Sequence, residues 1–161
     1  MQKIVPTLWF NFNAGEAVEF YKSVFKDDFK IGDKLYYEDN NPHGRPGEIL
    51  TVDFELFGQK FIALNGGAQF PFTNAISLMI ECKDQKEIDY YWDAFLKSGG
   101  TEQQCGWIND KYGLAWQVAP KKLLEMHKDK NKAKRDAVMV SMMGMIKLDL
   151  PELERVYKEA A

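Results

Sequence analysis

The sequence predicts an α+β fold: two tandem βαβββ modules followed by C-terminal helices. Three observations carry that expectation. Two amphipathic helix patterns stand 71 residues apart and match position for position. Each is preceded by a strand-like run and followed by further strand-like runs. After Pro120 the pattern is helical.

Residues 4–12 (IVPTLWFNF) are rich in β-branched and aromatic residues and read as a strand. Asn13 is placed as an N-cap, with Glu16 three residues later completing a capping-box pattern. Ala17, Tyr21, Val24 and Phe25 then recur at i, i+4, i+7 and i+8, one face of a helix. Residues 30–38 read as a strand, Glu38 to Gly47 as a turn-rich loop, and residues 48–57 and 60–65 as strands turning at Gly58.

The second half repeats the order. Residues 74–82 read as a strand, Asp84 as an N-cap and Glu87 as its partner. Ile88, Trp92, Phe95 and Leu96 carry the helix face, each 71 residues after its counterpart. Gly99 and Gly100 supply the stop. Two strands follow, about residues 101–109 and 114–119, turning at Asp110 to Gly113. Pro120 suits a first helical turn. Asp149 and Glu152 form a third capping-box pattern around Pro151, opening a short amphipathic helix with Leu153, Val156 and Tyr157. The expected boundaries are 1–72 for the first module, 73–120 for the second and 121–161 for the helical extension. Neither module is long enough to cover its own sheet, so a concave sheet surface between the two is the expected ligand site.

Bulk properties narrow the function. A 161-residue chain buries roughly 70% of its unfolded surface and needs no staples. The net charge of −3 gives no electrostatic case for nucleic acid or an anionic membrane. No apolar run approaches the roughly 18–20 residues of a membrane span, and the N-terminus lacks a signal-peptide core. The two cysteines, Cys82 and Cys105, lack CxxC spacing, which fits a reducing cytoplasm.

Trp9, Asn11, Phe61, Asn65, Cys105, Trp107, Trp116 and Gln117 are the candidate ligand-binding residues. Strand alternation puts Trp9 and Asn11 on one face, and Phe61, Ala63 and Asn65 on one face. The amides bring donors and acceptors that orient a polar group inside an apolar wall. The alternative stands beside it: the aromatics fill the core and the amides satisfy backbone. Cys105 is a candidate nucleophile, but Gly106 and Trp107 beside it supply no base, and a half-buried thiol is the simpler reading. Cys82 reads as buried. His43 and Arg45 lie in the turn-rich loop, as lid residues or as plain exposed groups. Met139, Met142, Met143 and Met145 read as helix packing, a dimer interface or an adaptable wall over a ligand. The charged run Lys128 to Arg135 is interrupted by Asp129 and reads as a solvated helix face.

Four segments together resemble one known family: Asn13 to Phe25, the run Phe61 to Gly67 (FIALNGG), the run Cys105 to Gln117 (CGWINDKYGLAWQ) and Met142 to Lys147 (MMGMIK). The chain resembles the PhnB-like group of the glyoxalase/bleomycin-resistance/dioxygenase (vicinal oxygen chelate) superfamily, also labelled 3-demethylubiquinone 3-methyltransferase-like. The resemblance implies the paired βαβββ fold, a homodimer and pockets near the sheet surfaces. Metal-dependent members take His and Glu ligands from four strand positions, which fall here near Pro6, Ile62 or Ala63, Ala75 and Gln117. None is an imidazole or a carboxylate, so no metal and no cofactor are expected. The doubly wound S-adenosylmethionine fold puts a Gly-rich turn between a strand and a helix. Here Gly66-Gly67 leads into Ala68-Gln69-Phe70-Pro71-Phe72, which is no helix start.

Three functions follow as expectations: a metal-independent small-molecule binding protein, an enzyme of unknown reaction, and a dimeric regulatory or interaction protein. The first is preferred, with the chain itself and a small molecule as partners.

Overall fold

The 71-residue register is present in the backbone. In a computed structural model, which describes residues 2–160, helix α1 spans Ala14–Phe25 and helix α2 spans Gln85–Lys97, so both helices start in register. Ala17, Tyr21, Val24 and Phe25 are buried, as are Ile88, Trp92 and Phe95. Leu96 departs from the pattern and stays 39% exposed. The chain divides into two compact units between Phe72 and Thr73.

In the first unit, strands β1 (Thr7–Phe10), β2 (Phe29–Tyr36), β3 (Ile49–Leu56) and β4 (Gln59–Asn65) form a sheet of order β1-β4-β3-β2. The outer pair β1–β4 is parallel and the others antiparallel. Leu8, Phe10, Val52, Phe54, Leu56, Phe61 and Ala63 make its buried face with α1. Phe54 lies stacked between Phe29 and Phe61, with ring centroids 5.1 Å apart on each side.

The cap of α1 differs from its sequence pattern. Asn13 occupies the N-cap position, but its side chain makes no cap bond. The Oδ1 of Asn65, at the end of β4, accepts from the Ala14 N–H at 2.8 Å instead. A helix N-terminus needs acceptors for its first N–H groups, and any suitably placed side chain can serve. The first strand is also shorter than residues 4–12: Pro6 has no N–H to donate to the ladder at its start, and Phe12 takes a φ of 59° beyond its end.

In the second unit, β5 (Ser77–Cys82), β6 (Thr101–Glu102), β7 (Trp107–Asn109) and β8 (Ala115–Pro120) repeat that order as β5-β8-β7-β6. Asp84 caps α2 as expected, accepting from the Glu87 N–H at 2.9 Å. The run 101–109 is not one strand. It is a tight hairpin, in which the Gln103 N–H donates to the Trp107 carbonyl at 2.9 Å and Cys105 and Gly106 take φ of 61° and 79°. Two successive positive φ values match the central pair of a type I′ turn, which suits the strand twist. Alternation alone reads through this turn, because Gly106 is its one local signal.

Beyond β8, helices α3 (Lys121–Met126), α4 (Lys132–Met143) and α5 (Leu150–Glu159) form the extension. Pro120 closes β8 and caps α3 rather than sitting inside it. Asp149 caps α5 through the Glu152 N–H. Leu123, Met126, Val138, Leu148 and Leu153 pack with Ala119, and Met142 and Met145 cover that cluster. Met139 and Met143 instead remain exposed. No helix is long and apolar enough to cross a membrane among the described residues.

Candidate functional site

Sheet registers decide which candidates share a surface. In the second unit, Trp107 pairs with Gln117, and Gln117 pairs with Met79, so Met79, Gln117 and Trp107 form one row across the sheet. Ser77, Ala115 and Asn109 form the next row. These residues face away from α2, because the alternate residues Ile108, Trp116 and Val118 are buried and Trp116 stacks on Phe95 of α2 at 5.0 Å. Helix α2 therefore covers one face; on the other, Ser77, Trp107, Asn109 and Gln117 are half-buried and Met79 is exposed, while Ala115 is buried.

The hairpin that carries Trp107 and Gln117 is held by one buried carboxylate. Asp110 is 4% exposed. Its Oδ1 accepts from the Tyr112 N–H at 2.9 Å and the Leu114 N–H at 3.1 Å, and its Oδ2 accepts from the Trp116 indole at 2.9 Å. The β7–β8 turn and the core ring of β8 are thus tied to one side chain.

At the end of this open face lies a cleft of about 610 Å³ lined by Asn74, Glu102, Gln103, Gln104, Cys105, Trp107 and Ile146. Side-chain amides dominate it. Gln103 Nε2 donates to Asn109 Oδ1 at 2.6 Å, Asn74 Nδ2 donates to Gln103 Oε1 at 2.6 Å, and Asn109 Nδ2 donates to Asn74 Oδ1 at 3.3 Å. Beside them Gln117 Nε2 donates to Ser77 Oγ at 2.8 Å. The charged group of this lining, Glu102, accepts from the Trp92 indole at 3.2 Å. The surface is a half-exposed indole surrounded by neutral donors and acceptors. Sequence reasoning missed Asn74, Ser77, Gln103 and Asn109. The alternation Trp107–Asn109 in β7 is the signal that could have found Asn109; nothing local marks Asn74.

The two thiols differ sharply. Cys82 is fully buried, and burial, reinforced by Glu87 and Asp84, pushes its pKa up to about 12. Cys105 is half-buried at the cleft. Both are free.

The first-unit candidates do not converge. Trp9 pairs with Leu64 and so lies on the open face of its sheet, whereas Phe61 and Asn65 lie on the buried face. Trp9 donates its indole N–H to the Gly67 carbonyl at 2.8 Å and meets Phe70 edge-on at 5.0 Å. Asn65 is buried and fully engaged: besides capping α1, its Nδ2 donates to the Ile49 carbonyl at 2.9 Å, and its backbone carbonyl accepts from the Tyr37 hydroxyl. Asn11 is exposed just past β1, and Trp116 is 2% exposed in the second-unit core. Cys105, Trp107 and Gln117 are the three sequence candidates that the structure brings to one surface. A second cleft, about 320 Å³, lies over β2–β4 and is lined by Lys30, Asp33, Asp53, Glu55, Lys60 and Ile62 among others. It is charged and holds none of the candidates except Phe61.

The positions implied for a metal do not fit one. Pro6 offers only its carbonyl, which accepts from the Ile62 N–H at 3.0 Å. Ile62 and Ala63 are apolar members of β4, Ala75 precedes β5, and Gln117 is bonded to Ser77. Among the described residues no three His, Cys, Asp or Glu side chains are placed to hold a metal ion.

Two four-stranded sheets of identical order, each with its helix on one face, define a protein of the glyoxalase/vicinal oxygen chelate fold. Residues 2–119 match the family described as 3-demethylubiquinone-9 3-methyltransferase, and the chain belongs to that PhnB-like family. It is similar to a PhnB protein from Bacillus cereus at 34% identity, covering 73% of this chain and 98% of that one with a TM-score of 0.64. A protein from Pseudomonas aeruginosa shares the fold at 20% identity, covering 74% and 98% with a TM-score of 0.59. So does the fosfomycin resistance protein FosX from Listeria monocytogenes, in complex with Mn(II) and sulfate, at 13% identity, covering 80% and 98% with a TM-score of 0.55. No curated protein matches the sequence.

Proposed function

We propose that this chain is a metal-independent small-molecule binding protein whose ligand rests on the open face of the second sheet, against Trp107 and Gln117. The observation that carries the reading is the amide network of Asn74, Gln103 and Asn109 beside a half-exposed indole. Neutral amides offer both donors and acceptors, and an indole offers flat apolar area. Glu102 pairs with Ile108 and turns its carboxylate to Trp92 of α2, so the open face is left to neutral groups. The ligand class that suits this surface is an uncharged molecule with a flat ring and polar edge groups. Polar atoms of this surface already bond one another, so a ligand exchanges those bonds rather than finding them unmade. A homodimer is part of the proposal, supported by the family resemblance, and the two free thiols support a reducing cytoplasm.

The test is a thermal-shift screen of uncharged and charged aromatic compounds, followed by titration of hits against the parent and Trp107→Ala. The expected result is saturable binding of uncharged compounds that weakens at least about tenfold in Trp107→Ala, the loss of one stacking anchor. Binding unaffected by Trp107→Ala, or no hit at millimolar concentration, sinks the reading. Light scattering at twice the monomer mass of 18.6 kDa checks the dimer.

A further inference from the structure

The family match ends at residue 119, yet one wall of the cleft comes from beyond it. The segment between α4 and α5 runs back across the Cys105–Gly106 turn. The Cys105 N–H donates to the Met145 carbonyl at 2.8 Å, and the Gly106 N–H donates to the Ile146 carbonyl at 2.7 Å. Buried backbone donors need acceptors, and here the extension supplies them. The fit is close: a Cβ on Gly106 would lie 2.8 Å from Leu148 Cγ and 3.0 Å from the Val118 carbonyl. Leu148 is itself anchored, buried in the core of the extension.

The same segment is fastened to α2 on its other side. Gln85 donates from Nε2 to the Leu148 carbonyl at 3.1 Å and accepts at Oε1 from the Leu150 N–H at 2.8 Å. Lys147 pairs with Asp89 at 2.8 Å. The segment is thus a strap pinned at both edges, and Ile146 is its member that lines the cleft, 44% exposed.

We infer that this strap is the selecting wall of the cleft, with Ile146 as the specificity-determining residue that limits the width of a ligand lying against Trp107. The inference rests on the binding reading above, and it makes the selectivity of this chain a property of its extension. A rigid apolar wall discriminates by size rather than charge.

Cys105 is the reporter, because it lines the same cleft while Cys82 is buried and held protonated. Alkylation of the full chain is followed by mass spectrometry with N-phenylmaleimide, a flat uncharged reagent, and with the smaller iodoacetamide. Ile146→Trp is expected to slow N-phenylmaleimide at Cys105 about tenfold and Ile146→Ala to speed it about twofold, with iodoacetamide changing less than about twofold in either. Both variants alter an exposed position, and unchanged thermal midpoints show that the fold is kept. Equal N-phenylmaleimide rates in parent and variants overturn the inference. Equal slowing of both reagents in Ile146→Trp also overturns it, because the change would then act on the thiol and not on the opening. Should the screen yield no hit while the size discrimination at Cys105 holds, the binding reading fails and takes the ligand selection with it, and Ile146 is left as a wall that limits access to the cleft.

Discussion

Removing the Asp110 carboxylate should unfasten the hairpin that presents Trp107 and Gln117. Donors converge on it, among them the backbone N–H groups of Tyr112 and Leu114 and the indole of Trp116. Trp116 is buried, so its indole has no water to turn to. A hydrogen bond to a charged acceptor contributes about 1.5–3 kcal/mol, and a buried donor left unpaired costs about 1–3 kcal/mol. The three are coupled through one turn and do not add in full, which puts Asp110→Ala at roughly 4 kcal/mol. At about 2–4 °C per kcal/mol for a chain of this length, the midpoint should fall by roughly 10 °C. Asp110→Asn keeps one carbonyl oxygen for the backbone donors but turns an amide N–H toward the indole, and should cost roughly half as much. Urea denaturation followed by far-UV circular dichroism and by tryptophan emission measures both. A loss below about 1 kcal/mol for Asp110→Ala would refute the claim that this carboxylate organises the hairpin.

Other consequences are checked in the same way. Gly66→Ala would place a Cβ 2.1 Å from the Trp9 ring, so the indole must leave its bond to the Gly67 carbonyl and its contact with Phe70; the expected cost is about 2–3 kcal/mol, read by urea denaturation, and a neutral substitution would contradict the packing. Asp84→Ala removes the side-chain acceptor for the Glu87 N–H and should cost about 1 kcal/mol by the same measurement. Asp84→Asn keeps an acceptor there and should retain most of that stability, so equal losses in the two variants would contradict the cap. Cys82 sets an alkaline limit. Its pKa is raised from 9.0 to about 12 in the fold, so the unfolded chain loses its proton first as pH climbs. Its contribution is therefore intact below pH 9 and lost progressively between pH 9 and 12. Cys82→Ala should flatten that part of the stability curve, and an unchanged slope would rule out the thiol as its source. Thiol titration of the native chain should count one fast group, Cys105, and two in denaturant.

The amino-acid sequence by itself determined the repeated scaffold. Helical spacing fixed the buried faces of α1 and α2, and Asp84 and Asp149 announced their helices because a cap is a local bond between residues three apart. At Pro6, Ile62, Ala63 and Ala75, positions that the family resemblance implies for a metal, residue identity alone tells that the side chains carry no donor. Contacts made across many residues were not legible. Asn65 caps α1 from 51 residues away, and no local pattern distinguishes that amide from one lining a pocket. Phe61 and Asn65 face the opposite side of the sheet from Trp9 because the parity of each strand is set only by its register with the next. The candidate site came from the tertiary structure: register placed Trp107 beside Gln117, a left-handed turn at Cys105 and Gly106 folded an apparent strand into a hairpin, and a strap from far downstream closed one wall. Local chemistry writes periodicity and caps into the sequence, whereas a binding surface is a relation between strands that only their pairing creates.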